Sequence, residues 1–464
     1  MRHVRAKVAA SALAGLVAVL ASGCMLGPDY ARPTVETPGT YRFDDTKPSQ
    51  ATLATVSEWW RGFGDADLDA LVQESLAANH DLRIATARVD EFAARVGATR
   101  AQGLPQVGYA AEAGRAGQGS ASVGNYSTVL TARWEIDLWG RIRRDTEAAR
   151  ADLFATEEAR RGIALTLVST VVTGYVTLLE LDRSLAIAEA TAAGRKRNVD
   201  LFQIRRDGGW ISDYEMMQVT AEYEAAVAAI PDLRLAIAQQ EHALSALVGR
   251  NPGPIARHRT IETLAAPAIA TGLPSALLER RPDILQAEQQ LVAANARIGV
   301  ARTLYFPNIA LTGFAGSAST QLDDLFSGPA RAWSFTGQLL GPIFAGGAID
   351  SANRQAEARH EQALEAYRAT IQDAFRDVSD ALVSVRESRE LIASLERRVA
   401  ALVRAVDLAT ERYDNGYADY LTVLDTERSL FSAQLALATA QGDAQRAHVD
   451  LYRALGGDWT KREN

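Results

Sequence analysis

Two stretches of the chain alternate apolar and polar residues strictly, and each is followed by a helical pattern longer than anything else in the sequence. Leu130, Ala132, Trp134, Ile136 and Leu138 alternate with Thr131, Arg133, Glu135 and Asp137. Trp333, Phe335, Gly337 and Leu339 alternate with Ser334, Thr336 and Gln338. A period of two places one apolar and one polar face on an extended chain, which predicts strands over about 128–139 and 331–342. Segments at about 105–115 and 307–317 alternate less cleanly and are rich in Gly and Ala. They are expected as partner strands, with Gly/Ser-rich loops at 117–125 and 317–328 between the members of each pair.

The helical patterns follow directly. Residues 140–206 and 347–413 contain no proline, so each is expected as one continuous helix of roughly 100 Å at 1.5 Å per residue. Leu165, Val168, Val172, Tyr175 and Leu179 recur at steps of three and four, as do Ile371, Phe375, Val378, Leu382 and Val385. That is the spacing of coiled-coil packing, although Arg389 and Glu396 interrupt the second seam. Shorter return helices are predicted near 213–248 and 419–455, each ending at a Gly, and Pro231 is expected to kink or break the first. Between long and return helix stand Gly208-Gly209 in one case and Asn415-Gly416 in the other. Gly and Asn tolerate the left-handed conformation that ends a helix, so both pairs read as tight helix reversals.

The two halves are copies of one pattern. Ala94-Arg95-Val96-Gly97-Ala98-Thr99-Arg100 and the residues to Pro105 align without gaps on Ala296-Arg297-Ile298-Gly299-Val300-Ala301-Arg302 and the residues to Pro307. Asp81 and Asp283 match at the same offset. Each half reads as helix, Pro, short β region, very long helix, reversal, helix. The organisation expected is an export signal over 1–23, an extended Pro-rich tether over 24–57, a first repeat over 58–250, a linker over 251–275, a second repeat over 276–457 and a tail over 458–464.

The strands have two readings. They form ordinary hairpins packed on a helical core, or barrel wall with a wet lumen, since one face carries ionisable residues and the other aromatics. Four strands cannot close a useful barrel, because single-chain barrels start at about eight, so the second reading requires several protomers to share one.

Composition narrows the class. The 464 residues are 47% hydrophobic and 23% charged, and no segment after the N-terminus is an uninterrupted apolar run of the roughly 18 residues a membrane helix needs. Arg2, Arg5 and Lys7 precede the apolar run 8–20 and the small residues Ala21-Ser22-Gly23, as in an export signal. The net charge of −8 falls further once those basic residues are removed, which argues against nucleic acid as a partner. Cys24, the single cysteine, stands directly after the small residues. One thiol excludes an internal disulfide framework; it is left either as an odd thiol or as the lipidated first residue of a lipoprotein. His3, His80, His242, His258, His360 and His448 show no metal-ligand spacing, and no nucleophile elbow or phosphate-binding loop is present. Neither an enzyme nor a cofactor is expected, apart from covalent lipid on Cys24.

The start Cys24-Met25-Leu26-Gly27-Pro28-Asp29-Tyr30 with Arg32-Pro33, then Trp59-Trp60, Glu279-Arg280-Arg281-Pro282-Asp283-Ile284, Tyr305-Phe306-Pro307 and Tyr420-Leu421-Thr422-Val423-Leu424-Asp425 together resemble an outer-membrane efflux factor of the TolC-like class, in its NodT-type lipoprotein branch. The resemblance runs from Cys24 to Gly457. It implies a mainly α fold with a membrane β portion: a homotrimer whose four strands per protomer make a twelve-stranded barrel continued by a long α-helical coiled-coil tunnel. It also implies lipid anchoring in the Gram-negative outer membrane, a periplasmic adaptor (membrane fusion) protein docked at Gly208, Gly209, Asn415 and Gly416, and an inner-membrane RND-type transporter. The entrance residues it transfers are Leu421, Asp425 and Arg428, which share one helix face by spacing, and Glu215. On their own, Asp425 and Arg428 read equally as a surface ion pair worth a few tenths of a kcal/mol. The function implied is a passive, gated exit duct for small molecules. A duct for secreted proteins and a non-conducting coiled-coil envelope lipoprotein are the alternatives; neighbouring genes separate the first, and tolerance to toxic compounds on deletion separates the second.

Overall fold

The structure is a computed structural model that describes residues 25–43, 58–119, 121–265 and 274–457. The expected export signal, the lipidation site Cys24, the tether beyond residue 43, part of the linker and the C-terminal tail lie outside the described residues. The elements in order are α1 (Ala66–Ala78), α2 (His80–Ala101), β1 (Gln106–Gln118), β2 (Ala121–Ile136), α3 (Arg141–Asp207), α4 (Asp213–Leu247), α5 (Pro282–Thr303), β3 (Asn308–Ser319), β4 (Arg331–Leu340), α6 (Ala348–Asp414) and α7 (Tyr420–Ala454). Short 3-10 turns cover Trp59–Phe63, Pro274–Glu279 and Gly328–Ala330. The described residues up to 35, with 86–158 and 285–370, pack as one compact unit; those of 36–85, 159–284 and 371 onward pack as a second.

The first unit holds a four-stranded antiparallel sheet in the order β1-β2-β3-β4. Its register carries Leu130 onto Ala315 and Ala315 onto Trp333, so the alternating apolar positions line up across strands. Tyr109, Leu130, Trp333, Phe335 and Leu339 share that face and are exposed. An apolar face of this extent needs lipid or protein as its surroundings. The expected loop at 117–125 is mostly strand: β1 runs to Gln118, β2 resumes at Ala121, and those two residues face each other. Ladder hydrogen bonds along the hairpin outweigh the low strand preference of its Gly and Ser residues. The second loop remains a loop, from residue 320 to the turn before β4.

The segment after residue 25 is stapled into this unit. Arg144, almost wholly buried, donates to the Leu26 carbonyl at 3.0 Å, to Asp29 at 2.8 Å and to Glu147 at 2.8 Å. Asn295 donates to the Pro28 carbonyl at 2.9 Å, and Tyr30 and Arg32 both reach Glu288. The motif after Cys24 therefore has a structural reason: it caps buried hydrogen-bonding groups that would otherwise cost ~1–3 kcal/mol each.

The core of the second unit forms around the middle of α3. Leu167, Val168, Val171, Val172, Val176 and Leu179 pack against Trp59, Phe63, Leu68 and Val449. Residues 162–179 carry no charge, and α3 is by length and composition apolar enough to cross a membrane. Thr166, Ser169, Thr170, Thr173 and Thr177 keep it from being an uninterrupted apolar run, and the stretch is the core of the unit, its valines and leucines covered by protein. Arg281 of the Glu279–Ile284 motif is buried and clamps three elements, bonding Asp283 at 2.6 Å, Asp377 at 3.1 Å and the Ala454 carbonyl at 3.1 Å. Pro231 does not break α4, which runs through it. The proline is exposed, so the carbonyl it leaves unpaired has access to water.

Candidate gate at the helix reversals

Both reversals are built the same way. At the first, Gly209 takes φ +75°, its N–H bonds the Arg206 carbonyl at 2.8 Å, and the Trp210 N–H bonds the Arg205 carbonyl at 2.8 Å. At the second, Gly416 takes φ +77°, its N–H bonds the Tyr413 carbonyl at 2.9 Å, and the Tyr417 N–H bonds the Arg412 carbonyl at 2.8 Å. This paired pattern is the Schellman helix stop, whose left-handed residue is a glycine because a Cβ there is strained. Each return helix then starts on a capping side chain: Ser212 accepts from the Glu215 N–H at 3.2 Å, and Asp419 accepts from the Thr422 N–H at 3.2 Å. The four residues Gly208, Gly209, Asn415 and Gly416 are exposed at these turns.

An aromatic cluster ties the two turns together. Arg205 donates to the Tyr413 hydroxyl at 2.9 Å and lies over the Phe202 and Tyr413 rings. Phe202 packs on Tyr420 at 4.2 Å between centroids, and Met216, Val219, Val423 and Leu424 close the cluster. Burial pushes the Tyr420 phenol well above its ordinary range. Burying this side of α7 leaves its other side outward, and Leu421, Asp425 and Arg428 are all exposed on it.

Arg428 does not favour its neighbour on α7. It stands 3.9 Å from Asp425, beyond hydrogen-bonding distance, while its Nε and Nη2 reach Glu222 of α4 at 3.2 and 2.5 Å. Glu222 also takes Arg195 of α3: the Arg195 Nη1 donates to the Glu222 carbonyl at 2.6 Å and lies 3.3 Å from its carboxylate. Behind them Glu427 accepts from Asn198 at 3.3 Å. Its burial raises its pKa above the ordinary carboxylate range, with Arg195 and Asn198 pulling the other way. Arg195 Nε and Nη2 and Glu427 Oε2 find no hydrogen-bond partner among the described residues.

The transferred residues thus divide. Leu421, Asp425 and Arg428 share one exposed face, as their spacing implied. Glu215 sits at the start of α4 with its carboxylate on the Ser212 N–H and hydroxyl, at 2.8 and 2.9 Å, so it serves the helix cap. Met216 is buried and Met217 exposed. Arg195, Glu222 and Glu427 were missed. Arg195 and Glu222 stand equally far from the first reversal on its two arms, and opposite charges placed so in a helical hairpin are a signal that reading along one helix overlooks.

The outer membrane efflux protein family model matches residues 71–250 and 273–457. The chain is 33% identical over 449 residues to the cation efflux system protein CusC of Escherichia coli O6:H1, covering 96% of this chain and 97% of CusC. It is 32% identical over 459 residues to the toluene efflux pump outer membrane protein TtgI of Pseudomonas putida, covering 96% and 98%. A crystal structure of CusC superposes with a TM-score of 0.85 at 32% identity, covering 94% of this chain and 100% of that one. The open state of the Neisseria gonorrhoeae MtrE outer membrane channel superposes at 0.86 with 30% identity, covering 95% and 100%. The chain is an outer-membrane efflux channel and belongs to the outer membrane efflux protein family.

Proposed function

We propose that this channel is a passive, gated exit duct in a tripartite efflux pump. Three copies share one barrel, Cys24 anchors each copy by lipid, and a periplasmic adaptor docks at the turns around Gly208, Gly209, Asn415 and Gly416 beneath an RND-type transporter. The observation that carries the gate is the partition of charge at α7: Arg428 is drawn to Glu222, which leaves the Asp425 carboxylate exposed beside Leu421. Repeated about a symmetry axis, Asp425 makes a ring of like charge that favours cations and disfavours anions. Leu421, one turn away, supplies an apolar constriction that dewets and holds the duct shut.

CusC is named for cations and TtgI for toluene, and the chain is about equally similar to both. Beyond the preference for cations over anions at Asp425, selection among cargoes is assigned to the pump. A strain lacking the chain, challenged with transition-metal cations, organic solvents and antibiotics, is expected to lose tolerance to at least one class and to regain it with the wild-type gene. Tolerance unchanged across all classes, with a leaky envelope instead, contradicts the proposal.

A further inference from the structure

A cleft of about 800 Å³ lies within the first unit, between α2, the end of β2, the start of α3 and one side of α5. Met25, Leu104, Trp134, Ile142 and Phe154 line it with apolar surface. Leu104 and Phe154 are 59% and 50% exposed, and open apolar surface gathered in a concave site is what a ligand covers.

The cleft continues the apolar side of the sheet. Trp134 has the parity of Leu130 on β2, so it belongs to the same exposed face. Its indole N–H donates to the Gly103 carbonyl at 3.0 Å, and that of Trp139 to the Pro307 carbonyl at 2.8 Å. Tryptophans held so where strand passes into helix mark the level at which hydrocarbon meets headgroups. The helices of an outer-membrane efflux channel stand in the periplasm, so the cleft lies at the headgroups of the periplasmic leaflet.

The charge left over at the cleft is positive. Its carboxylates Glu135, Asp137 and Glu147 are taken by Arg141, Arg143 and Arg144. Arg100 and Arg150 also line it, are exposed, and have no hydrogen-bond or ion-pair partner among the described residues. The second repeat is built otherwise. Advancing α2 by 202 positions gives α5, and advancing α3 by 207 gives α6, end to end. Arg100 then answers to Arg302 and Arg150 to Glu357, which form an ion pair at 3.6 Å. Trp134 answers to Gly341 and Phe154 to Glu361. The first repeat therefore sets two arginines where its copy sets opposite charges, and backs them with aromatic rings. Like charges so placed repel unless an anion stands between them.

We propose that this cleft binds an anionic phospholipid of the periplasmic leaflet, its phosphate between Arg100 and Arg150 and an acyl chain against Trp134 and Phe154. The planar fork of arginine matches phosphate oxygens, and basic pockets at membrane level capture anionic headgroups.

Quenching by brominated lipid tests the site on the full-length protein reconstituted in phosphatidylcholine bilayers. The Trp134 signal is the part of the fluorescence lost in Trp134→Phe. Phosphatidylglycerol with brominated chains is expected to quench it at a several-fold lower mole fraction than brominated phosphatidylcholine does. Arg100→Gln/Arg150→Gln is expected to remove that difference at unchanged helicity, while Arg354→Gln, which breaks an exposed pair on α6, keeps it. Equal quenching by the two lipids in the wild type overturns the proposal, as does a preference that survives in Arg100→Gln/Arg150→Gln. A preference that emerges only in Cys24→Ser means that the chain's own lipid fills the cleft, and quenching by neither lipid means that a second copy covers it. Either result overturns the proposal as well.

Discussion

At the scale of residues, the structure divides the charges near the reversals into buried and exposed members with different consequences. Glu427 is the buried one, and burial raises its pKa. A carboxyl held above its unfolded value contributes full stability below that value and loses it as pH rises through the raised native one. Thermal unfolding followed by helicity across that window is expected to show the wild type losing stability where Glu427→Gln does not, and equal slopes would contradict the assignment. The link from Glu222 to its two arginines is graded in the same way. Arg428 is more than half exposed, so Arg428→Ala should cost ~1 kcal/mol or less. Glu222→Gln should cost clearly more, because the Arg195 side chain is 6% exposed and two of its nitrogens already have no hydrogen-bond partner among the described residues. Urea midpoints that rank the two variants the other way would refute the network.

Much of this site was legible in the sequence, and the missing part has a physical reason. The spacing of Leu421, Asp425 and Arg428 marks one helix face by arithmetic alone. Which side of α7 is buried depends on Phe202 and Met216, which come from other helices. That Arg428 chooses Glu222 over Asp425 depends on α4 lying alongside, a relation that reading α7 alone does not contain.

At the scale of elements, proline-free runs and glycine stops were sufficient for the long helices and their reversals, because proline and left-handed glycine act locally. The strands were legible from their period, yet their ends were not, since the β1–β2 hairpin closes over Gly and Ser through pairing rather than preference. Pro231 does not end α4 for a similar reason: an exposed proline removes one hydrogen bond without stopping a helix whose flanks are packed. The reversals carry a prediction of their own. Gly209→Ala and Gly416→Ala each force a side chain into the left-handed region, at roughly 1–2 kcal/mol. Amide exchange in the last turns of α3 and α6 should accelerate in these variants while the core around Val172 stays protected. Uniform acceleration throughout the second unit would instead mean that the turns are not independent caps.

At the scale of the whole molecule, a chain with two open sheet edges, an exposed apolar strand face and helices of 67 residues has a fold that several copies complete better than one. The finished assembly is proposed as a duct closed at Leu421 and Asp425. The most direct measurement is single-channel current through the purified full-length protein in planar bilayers, compared with Leu421→Ser/Asp425→Ala. Low, cation-preferring current is expected in the wild type, and in the variant a several-fold larger current that has lost its cation preference. Bilayers in which neither protein conducts, or in which both conduct equally, would contradict it.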